Sequence, residues 1–194
     1  MINEDALNVL FHDGRTHNAW ADKPVPDELL KKAFDLAKMG PTSMNCSPMR
    51  ILFVRSQGAK EKLRPAMAEG NLAKTMAAPA TAIIANDPKF YEHMPFLFPP
   101  FDGARDLFAK DADLAKETAV RNGNLQAGYF ILACRAMGLD CGPMSGFDKA
   151  MVNEAFFSES GFKANFLINI GYGDPAGLHP RGPRFDFDQV CEII

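Results

Sequence analysis

Cysteine pairs at chelating or redox spacing are absent from this chain: Cys46, Cys134, Cys141 and Cys191 stand singly, with no Cys-x-x-Cys among them. A chain of 194 residues, 47% of them hydrophobic, holds a core large enough to need no disulfide, so the four are read as reduced thiols. His12, His17, His93 and His179 are equally dispersed and no His-Glu-x-x-His helix occurs, which argues against a structural or catalytic metal site. Positive charge is not in excess: 21 Lys and Arg against 24 Asp and Glu give a formal net charge of -3, and the basic residues are scattered. Nucleic acid is therefore not an expected partner. No apolar run approaches the roughly 18 residues of a membrane span. Met1-Ile2-Asn3-Glu4-Asp5 lacks the basic start and apolar run of a signal peptide, so the expectation is a cytoplasmic protein with no membrane partner.

Side-chain catalysts are missing as well. The chain shows no Ser-His-Asp or Cys-His order, no carboxylate pair and no P-loop Gly-Lys-Ser/Thr. Gly171-Tyr172-Gly173-Asp174 hints at a dinucleotide loop, but the third glycine is missing, and Pro175 and Pro180 fall where a Rossmann helix would open. No residue is assigned a catalytic role. Such a chain suits a bound cofactor that carries the chemistry while the protein binds and orients it.

The periodicity predicts a single domain over residues 1–194 with short strands and several helices. Leu29, Leu30, Ala33, Phe34 and Ala37 recur at helical spacing from Asp27 to Met39, until Gly40-Pro41 stops them. Ile51 to Val54, within Arg50 to Arg55, and Pro79 to Ala85 read as strands, with a helix from about Gln57 to Ala68 between them. Asp87 to Asp111 interleaves Pro88, Pro95, Pro99 and Pro100 with Phe90, Tyr91, Phe96, Phe98 and Phe101, and the prolines forbid a long helix. It is either a lid or partner surface, or a surface excursion pinned by its aromatics. Ala112 to Met137 is the longest helical pattern. Its second half, Ala127 to Met137, is apolar nearly all round apart from Arg135, so it is expected to be central in one subunit or in a subunit interface. Asp148 to Phe157 reads as a helix with an Asp cap, and Ala164 to Ile170 as a strong strand. Elements mixed without a regular βαβ repeat imply an α+β sandwich, helices over a small sheet.

Two segments stand out. Pro41-Thr42-Ser43-Met44-Asn45-Cys46-Ser47-Pro48 and Cys141-Gly142-Pro143-Met144-Ser145-Gly146-Phe147-Asp148 read as too irregular for a helix or strand interior, leaving main-chain groups free to meet a flat, polar-edged ligand. The hydroxyls and amide of the first suit a flavin pyrimidine edge or ribityl chain; taken alone it is a polar turn, and Cys46 within it reads as a buried inert thiol. Consecutive N–H groups in Gly142 to Gly146 suit an electron-rich ring nitrogen that gains charge on reduction, or else form a simple turn capped by Asp148. Arg15 near the start and Arg181 with Arg184 near the end could hold a monophosphate if both termini fold onto one site.

With these marks in order, the chain resembles the flavin-dependent nitroreductase family over nearly its full length. The marks are Arg15-Thr16-His17-Asn18-Ala19-Trp20, Pro41 to Pro48, Gly70-Asn71, Gly138-Leu139 leading to Gly142 through Asp148, and the final Arg181 and Arg184. Together with Ile168-Asn169-Ile170-Gly171-Tyr172-Gly173-Asp174, they look most like the branch that contains the malonic semialdehyde reductase of bacterial pyrimidine degradation. The resemblance implies a three-layer α+β sandwich with a small mixed or antiparallel sheet flanked by helices, and a homodimer with FMN in two interface sites. It implies an NADH- or NADPH-dependent oxidoreductase that reduces malonic semialdehyde to 3-hydroxypropanoate; the alternatives are a generalist reductase of nitroaromatics or quinones, and a non-catalytic FMN-binding module.

Carried over by motif, Arg15, Thr16 and Asn18 would contact the ribityl phosphate, and Thr42, Ser43 and Asn45 would come from one subunit's loop. Asn71 would reach the ring edge, Pro143, Met144, Ser145 and Gly146 would lie against the isoalloxazine with an N–H of Ser145 or Gly146 near N5, and Arg181 and Arg184 would close on the phosphate. The chain has Asn18 where many members carry a basic residue, and Ser145 where many carry glutamate. An acid acceptor would need a cationic anchor, for which Arg50, Arg105 and Arg121 are the candidates.

Overall fold

The sheet is built around two strands with no polar face. A computed structural model describes residues 2–194. All seven residues of β2 (Ala80–Asn86) are buried, so both of its faces must be covered. It pairs antiparallel with β1 (Met49–Val54) on one side and β4 (Lys163–Gly171) on the other, and β4 pairs antiparallel with β3 (Asp140–Met144). The order is β1-β2-β4-β3, with β1 and β3 as edges and no parallel pair in the sheet.

Helices supply both outer layers. On one face, α2 (Asp27–Ala37) and α7 (Ala112–Ala136) bring Leu30, Ala33, Ala37, Ala127, Phe130 and Ala133 against Ala82, Ile84 and Ile168. On the other, α3 (Gln57–Leu63) and α8 (Lys149–Phe157) bring Leu63, Val152 and Phe157 against Ile83, Ala85 and Leu167. The alternation of neighbouring β2 residues between the two cores is the period-2 geometry of a strand. The result is the expected three-layer α+β sandwich. The remaining α-helices are α1 (Glu4–Leu7), α4 (Glu69–Ala77), α5 (Met94–Leu97), α6 (Ala104–Ala109) and α9 (Phe187–Val190).

Three elements differ from the sequence reading. The helix expected to reach Ala68 stops at Leu63 and passes through a 3₁₀ turn at Arg64–Ala66, where Pro65 cannot donate to a continuing helix. The unforeseen α4 follows, with Thr75 its one buried residue and therefore no apolar stripe to announce it. Cys141 to Met144, read as too irregular for a strand, belongs to β3. Pro143 is tolerated there because β3 is an edge and its missing N–H costs no ladder bond.

The segment from Asp87 to Asp111 has a small core of its own: Phe90, Met94, Ala104 and Phe108 pack with Ala115 and Ala119 of α7 and with Cys46. Its aromatics pin it, while Phe96 and Phe101 point outward. On α7, the buried stripe runs from Ala115 through Asn122, Gln126 and Phe130 to Cys134. Leu125, Gly128 and Tyr129 lie on the opposite, open side, so within one chain its second half is buried on one flank and bare on the other.

Candidate functional site

The N-terminal segment runs beside the free edge of β3. Thr16 bridges to Cys141 in parallel, the His17 N–H donates to the Cys141 carbonyl at 3.1 Å, and Trp20 bridges to Gly173. His17 Nε2 lies 3.3 Å from Asp140 Oδ1, and Asp140 Oδ2 accepts the Gly173 N–H at 2.8 Å. These bonds fix Arg15, Thr16 and Asn18 beside the start of β3.

The tail brings its arginines to the same place. A recess of about 260 Å³ is lined by Arg15, Thr16, Asn18, Arg135, Arg181 and Arg184, among others. Arg15 donates to the His179 carbonyl, Arg181 to those of His12 at 2.6 Å and Gly14 at 3.3 Å, Arg135 to that of Leu10 at 3.0 Å, and Arg184 to that of Pro183 at 2.9 Å. Among the described residues, none of the four guanidinium groups has a carboxylate within 4.0 Å. Four like charges gathered around one small volume, without a counter-charge, make an anion site suited to a phosphate. Arg135 was not singled out as a site residue; its one signal was being the lone charge in an apolar helical run.

The other wall comes from α4 and the turn after β3. Asn71 Nδ2 donates to the Gly146 carbonyl at 3.0 Å, as does the Ala68 N–H at 3.1 Å, and Met67 bridges to Phe147. A Cβ on Gly146 would collide with the Asn71 amide, so glycine here leaves room for the Asn71 side chain to bond the turn. Lys74, one turn beyond Asn71, donates to Asn18 Oδ1 at 3.1 Å and so joins this wall to the basic recess. Lys74 was missed because α4 itself was not foreseen. Pro143 and Ser145 are exposed. Met144 is turned inward, its sulfur accepting from Thr75 Oγ1 at 3.4 Å, so only its main chain faces this wall. The N–H groups of Ser145 and Gly146 have no main-chain acceptor among the described residues.

The first loop is strained and elsewhere. Met44, Asn45 and Ser47 have φ of 50°, 53° and 38°, left-handed values that side chains other than glycine adopt at a cost. They are held by Ser43 N–H to Asn122 Oδ1 at 2.8 Å, Met49 N–H to Gln126 Oε1 at 2.9 Å and Ser47 N–H to Thr42 Oγ1 at 3.2 Å. Arg50 ties the loop down through the Ser47 carbonyl at 3.0 Å and Asp87 Oδ2 at 2.7 Å. Asn45 Nδ2 donates to the Leu97 carbonyl at 2.9 Å. Burial pushes the Cys46 thiol up to about 11, with a partly opposing hydrogen bond to Thr42, which leaves it a poor nucleophile. Asn122 anchors this loop and Arg135 lines the recess; at about 1.5 Å per residue they stand about 20 Å apart along α7. One chain thus brings together Arg15, Thr16, Asn18, Asn71, Pro143, Ser145, Gly146, Arg181 and Arg184, and does not bring Thr42, Ser43 and Asn45 to them.

Known proteins share this fold. Residues 15–172 match the model of the nitroreductase family. A protein of Burkholderia lata named "Putative NADH dehydrogenase/NAD(P)H nitroreductase" is 58% identical over 192 residues, covering 99% of this chain and 98% of that protein. Among solved structures, a protein of Exiguobacterium sibiricum in complex with FMN superposes with a TM-score of 0.86 at 19% identity, covering 100% of this chain and 99% of that one. A nitroreductase family protein of Streptococcus pneumoniae superposes with a TM-score of 0.83 at 22% identity, covering 95% and 98%. The folds agree from end to end, and the matched span includes Arg15 and both walls of the recess up to the end of β4: the chain belongs to the nitroreductase family.

Proposed function

We propose that this protein is an FMN-dependent NAD(P)H oxidoreductase, and that malonic semialdehyde, reduced to 3-hydroxypropanoate, is its acceptor. The observation that carries the flavin reading is the basic recess with its four carboxylate-free guanidinium groups, joined through Asn18 and Lys74 to the wall where the Ser145 and Gly146 N–H groups have no main-chain acceptor among the described residues. The FMN-bound relative and the nitroreductase name of the Burkholderia protein support it. FMN, when bound, supplies hydride transfer between a nicotinamide and an acceptor. Arg15, Arg181 and Arg184 would hold its phosphate, with Arg135 beside them. Asn71 and Lys74 would meet the ring edge, and the main chain from Pro143 to Gly146 would lie against the ring with N–H donors ready for developing negative charge.

The loop with Thr42, Ser43 and Asn45 would complete the site from a second subunit. A two-fold pairing across the open side of α7 accounts for the separation along that helix and covers Leu125 and Tyr129. It also gives a partner to the tail, where Phe185, Phe187, Val190 and Ile193 are exposed.

Of the three candidate anchors for an acid acceptor, Arg50 is committed to Asp87 and the first loop, and Arg105 is forked onto Glu92 and also reaches Asp106. Arg121 is held only by Glu117, one turn away on the α7 surface. An exposed pair of that kind is worth about 0.5 kcal/mol, so Arg121 is the one that a substrate carboxylate could recruit. That all three already have carboxylate partners favours, as a second reading, a generalist that reduces uncharged quinones and nitroaromatics.

The test is an absorbance titration of the purified protein, anaerobically, with NADH or NADPH and then with each acceptor. Flavin bands that bleach and then return with malonic semialdehyde support the first reading, with Arg121→Ala raising KM for the acid and not for a quinone. Bands restored only by quinone or nitro compounds support the second. Protein that takes up no flavin overturns both.

A further inference from the structure

The first half of α7 borders a cavity that the flavin reading does not use. It measures about 460 Å³, within the range of small-molecule sites, and lies between Tyr91, Phe108 and the α7 residues Ala115 and Ala119. It exists because α7 carries alanine at 112, 115 and 119, three positions on one flank, where the helix leaves its backbone uncovered while Phe108 and Tyr91 form the facing wall. Ala115 stands about 30 Å along α7 from Arg135 and the basic recess.

Its polar groups are few and unsatisfied. Asn86, at the end of β2, lines the cavity and is 6% exposed, yet its side chain makes no hydrogen bond to any described residue. Its Oδ1 is enclosed without a partner against Gly123, where a Cβ would collide with it. The Asn86 Nδ2 has no partner among the described residues either, and it is a donor available to an anionic ligand. Lys116 and Lys163 stand at the rim, exposed, and neither has a carboxylate within 4.0 Å among the described residues. The arginines along the same flank, Arg105 and Arg121, are all carboxylate-paired, so these two lysines are the free positive charge beside an otherwise apolar cavity.

We propose that this cavity binds a monocarboxylate with a compact apolar body, its carboxylate held by Lys116, Lys163 and the Asn86 Nδ2 donor, and its apolar part against Phe108 and the alanine flank. Octanoate is the probe, titrated calorimetrically into the purified full-length protein with whatever flavin it carries, so that the readout needs neither turnover nor the flavin assignment. Saturable binding of octanoate is expected, with octanol weaker and octylammonium undetected. The Lys116→Glu, Lys163→Glu double variant should weaken octanoate at least about 10-fold, as loss of two charge-assisted contacts requires. Ala109→Trp, at an exposed position on the cavity lip, should abolish binding with the melting temperature unchanged. Three results each overturn the proposal: no saturable heat up to the solubility limit, equal binding of octanoate and octylammonium, or octanoate binding that survives both variants.

Discussion

Lys60 shows how one buried charge can set a distant wall. It is 6% exposed, and its ammonium donates to the carbonyls of Thr75 at 3.2 Å, Met76 at 2.9 Å and Ala78. These belong to the end of α4, whose last carbonyls have no intrahelical donor and carry the negative end of the dipole. Burial lowers the pKa of this lysine, so its hold on the carbonyls works against its desolvation. Lys60→Met keeps the stem and strands three carbonyls. The expected loss is about 2–4 kcal/mol in urea unfolding, with weaker flavin retention because α4 carries Asn71 and Lys74. Cys46 provides a pH signature. Its thiol, ordinarily near 9.0, is pushed by burial up to about 11 in the fold, so the folded state keeps its proton longer. The stability this group contributes is complete below pH 9 and is lost as pH rises through 11. Cys46→Ala should therefore lose stability less steeply than the parent between pH 9 and 11, and an aromatic disulfide reagent at pH 8 should titrate Cys191 alone in the folded protein. A charge-assisted bond to phosphate is worth about 1.5–3 kcal/mol, so Arg181→Ala should weaken FMN binding about 10–100-fold by fluorescence titration.

Among the elements, the sequence declared those whose apolar pattern is also their packing. Apart from Phe34, which is exposed, the stripe of α2 and the runs in β1, β2 and β4 are the same residues that form the two cores, and they were legible for that reason. α4 was not, since it is held by what its polar residues bond rather than by what it buries: Asn71 to the Gly146 carbonyl, Lys74 to Asn18, and the Lys74 carbonyl to the Trp20 indole at 3.1 Å. β3 was hidden by Pro143, whose acceptability depends on an edge position that only the assembled sheet defines. Arg15, Arg181 and Arg184 were legible as phosphate-binding residue types, but their meeting depends on the tail crossing back to the N-terminal turn. The contact between α4 and the turn after β3 can be broken at one atom. Gly146→Ala places a methyl group against the Asn71 amide, which must swing aside and give up its bond to the Gly146 carbonyl. Loss of one such hydrogen bond costs about 1 kcal/mol, and the expected result is a fall in stability and in FMN affinity close to that of Asn71→Ala, which removes the same bond.

The first loop and the basic recess stand about 20 Å apart along α7, and that spacing is the strongest argument for the dimer proposed above. In a monomer, Thr42, Ser43 and Asn45 would serve the flavin only if the ligand spanned the length of α7 between Asn122 and Arg135. In a two-fold dimer the helix is crossed by its copy, and the loop of one subunit reaches the recess of the other. The two cases separate in a complementation experiment. One variant, Arg181→Ala with Arg184→Ala, disables the recess; the other, Ser43→Ala with Asn45→Ala, disables the loop. Each homodimer then has two defective sites. A heterodimer made by co-expression gathers both defects into one site and leaves the other intact, so random pairing should restore flavin to roughly a quarter of all sites. Flavin-to-protein stoichiometry measured by absorbance reads this directly. If the two half-sites instead served the same subunit, every site in the mixture would keep one defect and stoichiometry would stay at the level of the separate variants. A restored quarter, with flavin loss in Gly128→Arg as the open side of α7 is blocked, would establish that neither chain holds a complete site alone.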